Sequence, residues 1–140
     1  SDENETYITF QMTYKEAINA LEIAHIRKKE CPVVWNEKIG YWKLLKDMSQ
    51  QQQCKEFVSK KIDALIQYDK ENESDLIETL EALVNHLGAR NITATSLYLH
   101  RNTLMYRIKK IENLTGYDLS DPESILELSL ALRLNKFMNH

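Results

Sequence analysis

The chain has 140 residues, 43% of them apolar, and a formal net charge of −3. That length holds about one domain's worth of core plus an appended piece. Three glycines and two prolines are too few for the many turns of a sandwich or barrel, and no apolar run of roughly 18 residues is present to cross a membrane.

In chain order, residues 1–13 are polar and aperiodic. From Tyr14 to about Lys29, Ala17, Ile18, Leu21, Ala24 and Ile26 recur at helical spacing and predict a helix with one buried stripe, with Thr13 and Glu16 as its capping box. Pro32 ends it, and Val33-Val34-Trp35 predicts a short strand. Two helices follow, over 40–48 and 51–68, the second with Phe57, Val58, Ile62, Leu65 and Ile66 on its apolar face. The charged string YDKENES at 68–74 reads as a boundary. Leu76, Ile77, Leu80, Leu83, Val84 and Leu87 then mark a strong helix with Gly88 as its C-terminal cap. A short helix covers about 92–99, a longer one about 101–115 stopped by Gly116, and a last one starts at Ser120-Asp121-Pro122-Glu123. This last helix is apolar nearly all round, which places it either centrally in a core or in a dimer interface.

Charge is unevenly spread. Residues 1–88 carry 11 Lys/Arg against 16 Asp/Glu, while residues 89–116 carry five cations (Arg90, Arg101, Arg107, Lys109, Lys110) against Glu112 alone. A basic island in an acidic chain is either a polyanion-binding face or a solvated helix surface. Residues 91–115 also contain the parts of a helix-turn-helix. Asn91 can cap the first helix, Ala94 is small where two helices cross, and Leu97 and Leu99 can pin the turn. Leu104, Ile108 and Ile111 form one inward stripe on the second helix, and the opposite face carries Asn102, Met105, Tyr106 and Lys109 with Lys110 at its border. Arg101 lies in the first turn, where recognition helices meet base edges, and His100 can cap the start. An ordinary amphipathic helix pair has the same spacing, and Tyr98 stands near the place where many such turns have glycine.

The strings LIETL (76–80), TA (93–94), LYLHRNTL (97–104), YRIKKIENLTG (106–116), DLSDP (118–122) and LALR (130–133) resemble the C-terminal helix-turn-helix of the PucR/CdaR family of transcriptional regulators. The fold of that module is similar to the Fis-type DNA-binding domain, and an aromatic in its turn is usual. Met105 departs from the family, where a basic residue is expected. Upstream, Tyr14-Lys15-Glu16-Ala17 and the stretch from Val34-Trp35 to Leu44-Leu45 resemble the tail of the GGDEF-like region that precedes the module. No GGDEF string occurs, so cyclase activity has no support. The family's sensor region is not present, and the chain reads as a fragment.

The resemblance implies a mainly α fold: a helical bundle with a Fis-like helix-turn-helix and a small α(/β) remnant at the N-terminus. The expected division is a GGDEF-like remnant over 1–48, a linking helix over 49–74 and the DNA-binding domain over 75–140. The expected DNA-binding set is Arg90, Asn91, Thr93, His100, Arg101, Asn102, Thr103, Met105, Tyr106, Arg107, Lys109 and Lys110. Partners are promoter or operator double-stranded DNA and a second copy as homodimer, with no membrane. The alternative is a helical protein-interaction or dimerisation module without DNA binding. Cys31 and Cys54 lack CxxC spacing and read as reduced thiols of a cytoplasmic protein. His25, His86 and His140 lack metal-ligand spacing, Ser96 and His100 lack a third triad member, and Glu78 with Glu81 reads as a solvated face. No catalytic set, metal or cofactor is expected.

Overall fold

A computed structural model describes residues 14–19, 21–22 and 40–138. The described residues form helices and no strand: α1 (Gly40–Ser49), α2 (Gln52–Asn72), α3 (Leu76–Asn85), α4 (Arg90–Ser96), α5 (Arg101–Thr115) and α6 (Pro122–Met138), with residues 14–19 and 21–22 also helical. The strand expected at Val33-Val34-Trp35 and the capping residue Thr13 lie outside the described residues. The chain forms two compact units, Ser1–Met48 and Ser49–His140.

In the first unit the described part of the stripe expected to be buried is not: Ile18 is 43% and Leu21 68% exposed, Ala24 and Ile26 lie outside the described residues, and among residues 14–19 and 21–22 the buried side chain is Asn19. Polar contacts seat this helix on α1: Lys46 donates to Asn19 Oδ1 at 2.7 Å and pairs with the Glu22 carboxylate.

The second unit is a helical bundle. In α2, Val58, Ile62 and Leu65 repeat at helical spacing and are buried against α6, α5 and α3. The stretch expected to be a linking helix is therefore packed into the core of the Ser49–His140 unit. Burying three such side chains stabilises by about 1.5–3 kcal/mol each, far more than a tether needs. α2 also runs four residues past its expected end, because nothing in Asp-Lys-Glu-Asn breaks a helix. It stops at Glu73, which adopts the left-handed region at φ 49°. Asp69 then stitches the corner: its carboxylate accepts from Ser74 Oγ at 2.6 Å and from the Leu76 and Ile77 backbone N–H groups at 2.8 Å each, capping α3.

α6, expected to lie centrally in a core or in a dimer interface, packs one face into the core of its own chain. Leu128, Leu132 and Phe137 are buried within the chain itself, against α2 and α3. Its start follows the sequence: Pro122 is the first helical residue, and Asp121 accepts from the Glu123 N–H and the Ser124 hydroxyl at 3.2 Å each. Lys61 of α2 joins this layer by pairing with Glu127 at 2.8 Å and bonding the Tyr117 hydroxyl, which itself donates to Glu127 at 3.1 Å. The hydrogen bond to Glu127, then that to Tyr117, raises the Lys61 ammonium above its ordinary value. The same bonds, Lys61 first, hold the Glu127 carboxyl below its own.

Candidate nucleic-acid interface

The interface is built on α4, the turn 97–100 and α5. α4 starts at Arg90 with Ala89 as its N-cap and no side-chain cap, so Asn91 sits exposed in the first turn instead of capping it. Thr93 and Ala94 are the buried residues of α4. The small side chain of Ala94 lets α4 cross α5 closely, as its sequence position suggested. Thr93 is fully buried, with its hydroxyl donating to Ala89 O at 2.7 Å. That bond is local to the start of α4, and Thr93 is corrected out of the contact set, because a side chain with no exposed surface touches no ligand.

The turn closes without glycine. Tyr98 takes the left-handed conformation at φ 54°, its N–H on Thr95 O at 3.2 Å, and the Leu99 N–H reaches back to Ala94 O at 2.9 Å. This is the bond pattern in which glycine is usual, and a bulky residue there costs about 1–2 kcal/mol. The tyrosine ring is 97% exposed. His100 caps α5 as expected, its Nδ1 accepting from the Asn102 N–H at 3.1 Å. At the other end Gly116, at φ 77°, takes the left-handed position and donates to Glu112 O at 2.8 Å.

α5 is anchored by Leu104, Ile108 and Ile111, all buried. Arg101, Asn102, Thr103, Met105, Tyr106 and Lys109 are exposed. They present one cation, two neutral hydrogen-bonding side chains, a thioether, a phenol and a second cation along an outward surface. Arg101 and Lys109 make no ion pair among the described residues.

The other three cations of the basic island are engaged elsewhere. Arg107 donates to Thr79 Oγ1 at 3.0 Å and lies 3.6 Å from the Asp75 carboxylate, which ties α5 to the start of α3. Lys110 stands 4.7 Å from the centre of the Tyr68 ring of α2. Arg90 donates to Ser120 Oγ at 3.2 Å, while its buried Nε has no hydrogen-bond partner. It lines a groove of about 390 Å³ with Leu87, Leu119, Pro122 and Leu126, to which α5 contributes no wall. Arg101 and Lys109 are thus the cations of the island without an ion pair or ring contact among the described residues, while the other three keep their charge but are held by contacts within the fold. Tyr98 joins the exposed set; the sequence reading weighed it only as a turn residue and left it out of the contact set. The available signal was its place in the turn, where a side chain held left-handed stands out from the fold.

Residues 76–134 match the PucR C-terminal helix-turn-helix domain. The chain is 31% identical over 125 residues to the proline-responsive transcriptional activator PutR of Bacillus subtilis (strain 168), covering 89% of this chain and 30% of that protein. It is 30% identical over 126 residues to the purine catabolism regulatory protein of the same organism, covering 90% of this chain and 23% of that protein. Over 66 residues it is 39% identical to the carbohydrate diacid regulator of Escherichia coli (strain K12), covering 47% of this chain and 17% of that protein. The chain therefore spans less than a third of each of these relatives. No solved structure matches it. The helix pair α4–α5 lies within the residues that match this domain and has the two-helix arrangement of a helix-turn-helix. Among the described residues no helix is long and apolar enough to cross a membrane.

Proposed function

We propose that this chain binds double-stranded promoter DNA sequence-specifically, as the DNA-binding part of a transcriptional regulator, with α5 in the major groove. The observation that carries the reading is the division of α5: three buried apolar residues fix it, and Arg101, Asn102, Thr103, Met105, Tyr106 and Lys109 stand free on its surface. Arg101, in the first turn beyond the His100 cap, is the base-reading residue, since a guanidinium pairs bidentately with guanine O6 and N7. Lys109, about two turns further on, meets a phosphate, and Asn91, Asn102 and Thr103 are neutral donors. His100, Met105 and Tyr106 complete the contact surface. Arg107, Lys110 and Arg90 add to the positive field, but their contacts within the fold make them weaker candidates for direct phosphate contact than Lys109.

A single recognition helix buries little surface, so we infer that two copies act together on paired half-sites. The extent of the likeness to PutR, well beyond the helix-turn-helix, supports reading residues 1–48 as the tail of a preceding regulatory region. Titration of the chain with a random-sequence duplex at low salt tests the DNA reading. Binding that weakens linearly in log salt is expected, with a slope near −1 to −2 per subunit from one or two phosphate-bound cations at about −0.9 each. No binding at high micromolar duplex rejects it and leaves the basic surface to a protein partner.

A further inference from the structure

We propose that Tyr98 is a further DNA-contacting residue whose phenolic hydroxyl donates to a backbone phosphate beside the groove that α5 enters. The proposal rests on the DNA-binding reading above. Its basis is a side chain for which the fold itself has no use. The two bonds that close the turn, Tyr98 N–H to Thr95 O and Leu99 N–H to Ala94 O, are made by backbone atoms alone. Glycine at this position makes both of them with less strain, because φ 54° crowds any Cβ. The ring is 97% exposed, so no packing offsets that strain. Leu87 shares the strain and exposure, at φ 52° and 87%, so these alone assign no role; Tyr98 adds to them a hydroxyl donor beside the start of α5.

The position indicates which role. Tyr98 lies two residues before the His100 cap, at the end of α5 that presents Arg101 and Asn102. Its exposed neighbours are Thr95, Ser96, His100, Arg101 and Asn102. An apolar protein surface laid on them leaves polar groups desolvated without partners, whereas a phosphate accepts from hydroxyl and guanidinium donors together. Tyrosine supplies one neutral donor on a rigid arm. It therefore adds affinity without adding a released counterion.

The experiment uses the full chain, a short random-sequence duplex, binding isotherms at several salt concentrations, and thermal melts of Tyr98→Gly and Tyr98→Phe. Tyr98→Gly is expected to raise Tm by about 4–8 °C and to weaken duplex binding about tenfold. Tyr98→Phe is expected to leave Tm unchanged and to weaken binding by the same factor. In both, the slope of log K against log salt stays that of the wild type. A fold defect cannot mimic this, since the glycine variant binds worse while being more stable. Wild-type affinity in Tyr98→Gly overturns the proposal, and assigns the ring to a protein partner. Wild-type affinity in Tyr98→Phe alone overturns the phosphate bond, and a fall of Tm in Tyr98→Gly overturns the claim that the fold does not use the ring. Failure of the wild type itself to bind the duplex removes the DNA reading, a result separate from all of these.

Discussion

Arg101 and Lys109 share α5 with Arg107 and Lys110, yet the two pairs have opposite fates. The first pair is exposed and free of ion pairs among the described residues. In the second, Arg107 reaches Thr79 and Asp75 on α3, and Lys110 lies over the Tyr68 ring on α2. All four are cations within a span of ten residues, so sequence density assigns them one role. Their neighbours assign two, because helices packed on the flanks of α5 offer hydrogen bonds and an aromatic face to whichever side chains point sideways. A basic run is thus an upper bound on the charge available to a polyanion.

This division is testable, beginning with the stripe that holds α5 in place. Ile108→Ala should lower the stability of the Ser49–His140 unit by about 2–5 kcal/mol in denaturant melts, since it empties a fully packed site. An unchanged midpoint is incompatible with the buried placement of Ile108. The arginines should then separate. Arg101→Ala is expected to cost about 1–3 kcal/mol of binding on a preferred site and to relax preference at one base pair, with stability changed by less than about 0.5 kcal/mol. Arg107→Ala should instead destabilise the fold by about 1–2 kcal/mol through its lost hydrogen bond to buried Thr79, and leave base preference intact. Exchanged phenotypes defeat the comparison.

The lysines differ by smaller amounts. Lys109→Ala should make the salt slope shallower by roughly one unit and weaken binding equally on all sequences. Lys110→Ala should leave the slope unchanged and reduce stability by about 0.5–1 kcal/mol, the worth of an exposed cation–π contact. An equal change of slope in both places Lys110 on phosphate. The smallest effect concerns Lys61, a further engaged cation. Its partner Glu127 has a carboxyl held below the ordinary value of 4.5. The pair therefore stabilises the fold above that pH and loses its contribution as pH falls through the depressed value. Tm measured between neutral and acid pH should fall slightly less in Glu127→Gln than in the wild type, and an equal fall removes Glu127 from the acid response.

Much of the second unit was legible in the sequence. The stripe Leu104, Ile108, Ile111, the His100 cap, the stop at Gly116 and the Asp121-Pro122 start of α6 all follow from local spacing and turn chemistry, and the structure has each of them. Local rules failed where a residue's surroundings come from distant segments. Asn91 was read as a cap, but α4 begins one residue earlier. Thr93 was read as a contact and is buried, and Ile18 and Leu21 were read as buried and are exposed.

Helical period and end chemistry are properties of a few adjacent residues, so the sequence by itself determined where most of these helices run and which edge of α5 is apolar. It also carried, in the strings around LYLHRNTL, the likeness to PucR-type regulators. Whether α2 tethers or packs, which face of α6 is buried, and which cations find partners within the fold depend on which helices lie side by side. Only the tertiary structure decided those, because burial and pairing are set by partners far away in the chain: Tyr68 is 42 residues from Lys110, and Thr79 is 28 from Arg107.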